Sequence, residues 1–160
     1  MVHQGPDMAA VGRIARRVQL LDIKVISIAA DRKAGGGSSL EPDLSMSFNG
    51  KLLAKEQLVV ECVYTLKATS QQKEVASVRV VILMVYRIEN DDPVEPADVP
   101  HFANANGAYH SWPFARELIY SLTTRLGLPP YTLPVLVFRP PKPSAAVKAP
   151  TKRPRKLAVT

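Results

Sequence analysis

The sequence GAYHSWPFARELIYSLTTRLGLPPYTLPVLVF, residues 107–138, predicts one amphipathic helix followed by a proline-rich apolar segment. Ser111 is a candidate N-cap, Pro113 lies in the predicted first turn, and Gly127 is a candidate C-terminal cap. The predicted apolar face consists of residues at helical spacing: Phe114, Ala115, Leu118, Ile119, Leu122 and Leu126. The predicted solvent face carries Arg116, Thr123, Thr124 and Arg125.

Upstream of this helix, alternating apolar residues predict four strands. The first covers residues 18–30, and the second is centred on residues 44–48 and ends at the turn-favouring pair Asn49–Gly50. Two longer strands follow, joined by a polar turn at residues 70–73. A short helix over residues 98–109, with Asp98 as its N-cap, completes the pattern. Strands followed by helices predict an α+β fold, a four-stranded antiparallel sheet with two C-terminal helices packed on one side.

The charge is concentrated at one end of the 160-residue chain. The net charge is +7, and residues 139–160 carry seven Lys or Arg and no Asp or Glu, so the remainder is balanced. We expect a mobile N-terminus over residues 1–12, one domain over residues 13–138, and a disordered basic Pro/Ala/Lys tail over residues 139–160.

Membrane and export signals are weak in this sequence. Asp22 and Lys24 interrupt the most apolar stretch, which falls short of the ~20 residues that a membrane helix needs. The same charges and a poor cleavage context argue against a signal peptide at residues 13–30. One cysteine, Cys62, fits a reducing compartment. We therefore expect no membrane insertion and a cytoplasmic protein.

Residues that could carry catalysis or hold a metal are isolated. His101 and His110 could approach each other near Asp98, although histidines at loop and helix ends are usually solvated. Cys62 lies on an apolar strand face, where a buried inert thiol is the default. The glycines at 35–37 lack the Lys-Ser/Thr that a phosphate-binding loop requires. We expect no enzyme, no cofactor and no metal site.

The segment from Gly107 to Phe138 resembles the C-terminal helix and its flanks in the SecB family of protein-export chaperones. The stretch GAY, WPFARE, LGLPP and LPV carries the resemblance, and the order of strands and helices is similar throughout. The resemblance implies an ATP-independent holdase that wraps unfolded polypeptides, assembled as a homotetramer from a dimer of dimers.

The resemblance also implies where clients bind. Grooves in this family combine an early strand, the crossover loop and the last helix. The corresponding client-binding candidates in this chain are Leu44, Met46, Phe48, Leu136 and Phe138. Methionine and aromatic side chains suit promiscuous surfaces because they adapt to many shapes. The alternative is that these alternating apolar residues belong to the core.

A second apolar patch lies on the other face of the fourth strand. Val81, Leu83 and Val85 stand between two arginines on a face whose remaining residues are polar. Such a patch needs a cover. We expect it to contact another subunit or a client.

The chain departs from the family at the surface that docks the SecA motor. That surface is acidic in the family, whereas the corresponding positions here are Val25, Ala29 and Arg79, and the tail is basic rather than acidic. Neutral and cationic groups cannot replace carboxylates that face a basic partner. The resemblance leaves two roles open, protein export and a chaperone dedicated to an antitoxin in a toxin–antitoxin–chaperone system. These differences argue against SecA docking and favour the second role.

The basic tail supports an alternative from another class of protein. Its cations could bind nucleic acid through phosphate contacts, which would make the protein a nucleic-acid-associated or scaffold protein. No aromatic residue lies among the cations, so base stacking is excluded there. A simply solvated tail is the other reading.

Overall fold

The computed structural model describes residues 5–33, 40–54, 56–89 and 93–136. Helix α1 and a four-stranded antiparallel sheet are followed by a helical region that begins with a 3₁₀ turn. The elements are α1 Met8–Ala15, β1 Val18–Arg32, β2 Glu41–Ala54, β3 Gln57–Ser70, β4 Lys73–Ile88, the 3₁₀ turn Pro96–Asp98, α2 Val99–Phe102, the π-helix Ala103–Gly107 and α3 Ala108–Arg125. The predicted fold class, a four-stranded antiparallel sheet with a C-terminal helical region, is confirmed. Predictions for residues 34–39 and for the tail from residue 139 onward lie outside the described residues.

The sheet has the strand order β1-β4-β3-β2, so β1 and β2 are its edges. The hairpin between β3 and β4 turns at Gln71 and Gln72, as predicted, and both residues have positive φ angles of 50° and 63°. Two consecutive left-handed residues are the geometry of a two-residue turn that matches the twist of the strands. This hairpin places β3 and β4 in the centre of the sheet.

One face of the two central strands forms the core. Alternate residues of β3 and β4 are buried, among them Tyr64 and Tyr86 at 0% and 1% exposure. The helical region packs on this face, since Trp112 contacts Tyr64 and Phe102 contacts Tyr86 edge to face. We call this the helix face of the sheet, and the opposite one the open face.

Strand β2 continues through the pair that was predicted to end it. Gly50 lies within β2, opposite Val60 of β3. A Cβ atom on Gly50 would stand 2.6 Å from Cγ1 of Val99 and 3.2 Å from the Cβ of Ala103. The prediction of a turn at Asn49–Gly50 is therefore wrong, because this glycine permits the helical region to lie directly on the strand.

The two predicted helices are present as α2 and α3, and the π-helix Ala103–Gly107 joins them without a loop. Ser111 is not an N-cap but a fully buried residue inside α3, and its hydroxyl donates to the carbonyl of Gly107 at 2.6 Å. Pro113 is likewise inside the helix rather than in its first turn. Gly127 does terminate the helix, with φ at +66°, and Arg32 donates to its carbonyl.

The buried face of α3 is rotated from the predicted one. Ala115, Ile119 and Thr123 are buried, whereas Phe114 is 44% exposed and Leu118 only half-buried. Thr123 was predicted to face solvent, but its hydroxyl donates to the carbonyl of Ile119 and accepts the N–H of Tyr131. A threonine that satisfies its hydroxyl on its own helix can be buried.

Helix α1 begins at Met8, five residues before the predicted start of the domain. Asp7 caps it by accepting the N–H of Ala9, and Val11 and Ile14 are buried. Arg13 of α1 binds Asp98 through two hydrogen bonds of 2.7 Å. Met8–Gly12 therefore belongs to the packed domain, which corrects the expectation of a mobile stretch up to Gly12.

Candidate functional site

The apolar side of β2 presents a row of side chains at the edge of the helix face. Leu44, Met46 and Phe48 lie opposite Leu66, Tyr64 and Cys62 of β3, and all three share the helix face. Leu44 and Phe48 are half-buried against the core, whereas Met46 is 44% exposed. We call these three residues the β2 row; the middle one is available to a binding partner.

Three aromatic rings connect the β2 row to α3. The ring centroids of Phe48 and Tyr64 are 5.8 Å apart, and those of Tyr64 and Trp112 are 6.0 Å apart, both edge to face. The hydroxyl oxygens of Tyr64 and Ser111 are 2.6 Å apart. Because the Ser111 proton is donated to Gly107, the hydroxyl of Tyr64 donates to Ser111. This aromatic ladder, Phe48–Tyr64–Trp112, is thus fixed by both packing and hydrogen bonds.

The chain that follows α3 lies against the far end of the ladder. We call residues 131–136 the exit segment. Leu133 is fully buried, Leu136 is half-buried against the same core cluster as Leu44 and Phe48, and Trp112 Nε1 donates to the carbonyl of Pro134 at 3.0 Å. Leu136, a predicted client-binding residue, thus packs on the core, and Phe138 lies outside the described residues.

The structure adds residues to the predicted set. Tyr64, Trp112 and Leu133 join the β2 row to the exit segment, yet sequence reasoning had left them out. Two signals pointed to them: Trp112 is the single tryptophan of the chain, and Leu133 is an isolated leucine immediately before a proline. Tryptophan needs a partner for its N–H when buried, and a nearby carbonyl supplies it here.

Titratable groups beneath this surface are neutral at physiological pH. Burial raises the pKa of the Cys62 thiol to about 11 and raises the pKa of Tyr64. Burial also lowers the pKa of His110, whose Nδ1 lies 2.9 Å from the hydroxyl of Tyr86. An uncharged, apolar wall with few fixed donors suits the binding of apolar chain segments rather than chemistry.

The second predicted patch lies on the open face. Val81 is 3% exposed, and Leu83 and Val85 are half-buried. Val59 and Val63 extend the patch onto β3, since they lie opposite Val85 and Val81. The open face therefore carries a five-residue apolar centre on β3 and β4, on the side of the sheet away from the β2 row.

The positions compared with the acidic docking surface do not share one face. Ala29 lies directly opposite Arg79 on the open face, but Val25 lies opposite Ile82, a core residue of the helix face. A bulge between Val25 and Ser27 changes the alternation of β1 between these positions. Ala29 and Arg79 therefore share the open face, whereas Val25 does not.

The two histidines considered as metal ligands have separate partners. Nδ1 of His101 accepts the N–H of Asp7, and His110 lies against Tyr86. Within residues 5–33, 40–54, 56–89 and 93–136, no three His, Cys, Asp or Glu side chains are grouped as metal ligands. Asp98, the third candidate, binds Arg13 instead.

In the part of the chain that the structure describes, no helix has the length and apolar character to cross a membrane. The longest, α3, carries charged residues along its exposed surface.

Comparison with known proteins identifies relatives of this fold. No family model matches the chain. Two curated SecB-like chaperones of Mycobacterium tuberculosis, Rv1957 of strain ATCC 25618 / H37Rv and MT2006 of strain CDC 1551 / Oshkosh, are each 34% identical over 89 residues. The match covers 54% of this chain and 48% of each relative, so the chain spans about half the length of the curated relatives it matches.

A solved structure extends this similarity over the whole domain. It contains the Mycobacterium tuberculosis SecB-like chaperone Rv1957 in complex with a ChAD peptide from the antitoxin HigA1 (Rv1956). Its TM-score with this protein is 0.75 at 26% identity, and the superposition covers 82% of this chain and 99% of that chain. The chain is therefore similar in sequence to the SecB-like chaperone Rv1957, and it has the fold of the Rv1957 structure.

Proposed function

We propose that this protein is a molecular chaperone that holds unfolded polypeptides, without ATP, in an apolar groove between the β2 row and α3. The observation that carries the proposal is Met46, a methionine 44% exposed beside an aromatic ladder in an otherwise buried apolar surface. The homologues are named chaperones rather than enzymes, which supports the same class of function.

The groove works by adaptation rather than chemistry. Met46 is unbranched and polarizable, so it can pack against client side chains of different shape. Phe48 supplies a rigid apolar floor, since its ring packs edge to face on the buried ring of Tyr64. Each apolar client side chain fully buried there contributes about 1.5–3 kcal/mol. Several such side chains along one extended segment are enough for holding, and no nucleotide is required.

The client class that we propose is an antitoxin-like unfolded segment rather than a general export substrate. The chaperone Rv1957, whose solved structure is similar to this protein, is in complex with a peptide from an antitoxin. On the open face, Ala29 and Arg79 occupy positions where an acidic docking surface for SecA would need carboxylates. We therefore do not propose that the protein hands clients to SecA. We do propose that it is located in the cytoplasm.

We also propose that the protein is a homotetramer, a dimer of dimers. Edge strand β1 exposes large apolar side chains, with Leu21 and Ile26 at 51% and Ile28 at 47%. The outer side of α3 exposes Phe114 at 44% and Tyr120 at 48%. Apolar surface of this kind is typical of subunit interfaces. The Val81–Leu83–Val85 patch of the open face is a further candidate contact with a subunit or a client.

The test compares an unfolded polypeptide with its own folded parent. A small disulfide-containing protein is reduced and alkylated so that it stays unfolded, and fluorescence anisotropy measures its binding without nucleotide. We expect the unfolded form to bind and the native form not to bind. Equal binding of both forms, or binding of neither, refutes the proposal.

The tail supports a second candidate function, a nucleic-acid-associated or scaffold protein. Residues 139–160 carry seven cations and no acid, and each phosphate contact would add a salt-dependent increment of affinity. Removal of the residues after Phe138 is expected to abolish retention on heparin at low salt. Unchanged retention contradicts this function and leaves the solvated tail as the explanation.

A further inference from the structure

The exit segment is held more like a bound peptide than like part of the fold. Residues 131–136 have neither helix nor strand structure. Pro134 in the segment, and Pro129 and Pro130 just before it, have no backbone N–H to donate. Two hydrogen bonds connect it to α3, one from the N–H of Tyr131 to Thr123 and one from Trp112 to the carbonyl of Pro134. Its main anchor is a single buried leucine, Leu133.

The side chains of the exit segment have the pattern expected of an extended peptide in a groove. Leu133 is fully buried, Val135 is 73% exposed, and Leu136 is half-buried. An unfolded client offers the same groups: apolar side chains at intervals and free backbone carbonyls. The segment and a client thus compete for the same kind of surface.

The wall against which the exit segment packs is fixed by other contacts. Trp112 belongs to α3 and stacks edge to face on Tyr64, which is held by Ser111. Because these contacts do not involve the exit segment, we expect the indole N–H to keep this position when the segment leaves. Leaving that donor without an acceptor is unfavourable, so an arriving carbonyl would be bound.

We propose that the exit segment is an internal occupant of the client groove, and that an unfolded client displaces it by taking the Leu133 position and the Trp112 hydrogen bond. This inference rests on the proposed function. Occupation lowers apparent client affinity in proportion to the fraction of empty grooves. If the segment fills the groove in about nine molecules of ten, its release tightens binding about tenfold.

The first experiment releases the segment in the full-length chain. Leu133→Asp removes the buried anchor, and Val135→Asp, two residues away on an exposed position, is the matched control. The probe is a fluorescein-labelled synthetic peptide with the sequence of residues 128–138, LPPYTLPVLVF. We expect Leu133→Asp to bind it about tenfold more tightly than Val135→Asp or the unmodified chain.

Trp112 gives an independent optical readout because it is the only tryptophan. Its emission should shift to longer wavelength in Leu133→Asp and return towards the unmodified value when the peptide is added. Peptide binding that is no tighter in a folded Leu133→Asp variant than in the Val135→Asp control overturns the proposal.

The second experiment uses the unmodified chain and does not depend on any variant folding. An alkylated unfolded polypeptide is added, and hydrogen exchange is followed at the backbone amides of residues 131–133 and 135–136, since Pro134 has none. Faster exchange with client bound supports displacement. Client binding with unchanged or slower exchange overturns this inference alone, whereas no client binding by the unmodified chain or by Leu133→Asp refutes the proposed function.

Discussion

Replacing Met46 with aspartate should weaken client binding without unfolding the protein. Met46 is 44% exposed, and full burial of a methionine side chain is worth about 1.5–3 kcal/mol, so a client that covers the exposed part gains about 0.7–1.3 kcal/mol. Aspartate loses this gain and adds about 1–3 kcal/mol for placing a polar group against apolar client surface. The expected loss is about 2–4 kcal/mol, a weakening of roughly 30-fold to 700-fold.

The matched control for this prediction is the next residue of β2. Ser47 lies opposite Val63 on the open face, so Ser47→Asp introduces the same charge on the other side of the sheet. Anisotropy with a labelled unfolded polypeptide measures affinity, and circular dichroism with size-exclusion chromatography verifies fold and assembly. Equal weakening by Met46→Asp and Ser47→Asp refutes the position of the groove. Unfolding of Met46→Asp would mean that Met46 is core.

Three further predictions concern the fold that supports the groove. Gly50→Ala should lower the free energy of unfolding by about 1–3 kcal/mol because its Cβ would overlap the helical region. Gly12→Ala on α1, whose Cβ would meet only the side chain of Arg16 at 4.0 Å, should raise it by about 0.5–1 kcal/mol. Urea unfolding measures both, and an unchanged Gly50→Ala would contradict the packing. Arg13 lowers the pKa of Asp98 in the folded protein. The stabilisation from this ion pair is therefore complete above the pKa of an unfolded aspartate, ~3.9, and is lost as the pH falls through the lower pKa of folded Asp98. The stability difference between the unmodified chain and Asp98→Asn should therefore shrink in acid, and a constant difference in urea titrations down to acidic pH would count against the pair. Cys62 is fully buried with a pKa raised to about 11, so it should resist a thiol reagent at neutral pH until urea is added, and rapid native labelling would contradict its burial.

The sheet could be predicted from the sequence because its signals are local. The alternation of β3 and β4 and the polar turn at residues 70–73 specify a hairpin without reference to the rest of the chain. Gly127 was also recognisable, since a glycine after an apolar helical pattern is the usual left-handed cap. These features follow from short-range geometry alone.

The wrong predictions involve residues whose role depends on a distant partner. Gly50 follows an asparagine and has the composition of a turn, but it is a strand residue because Val99 lies against it. Ser111 has the residue type of an N-cap, but its hydroxyl serves Gly107 and Tyr64 inside the helix. Composition cannot distinguish these roles, since the decisive contacts lie far away in the sequence.

The candidate site could be predicted only in part, because some of its contacts join residues that are far apart in the sequence. The resemblance and the alternation of β2 together indicated the β2 row, which lies at the edge of the helix face. Its use by clients stays a prediction. Trp112 and Leu133 stood out in the sequence as residue types, but the contacts of Trp112 with Tyr64 and the exit segment could not be predicted. Those contacts depend on the rotation of α3 and on the return of the chain along it.

The most direct test of the central claim is aggregation of a denatured client diluted into this protein. Light scattering is followed without nucleotide, at increasing ratios of chaperone to client. We expect scattering to be suppressed at about one tetramer per client, and Met46→Asp to suppress it less than Ser47→Asp does. Undiminished aggregation in the presence of excess folded protein would contradict the holdase and leave the basic tail as the leading indication of function.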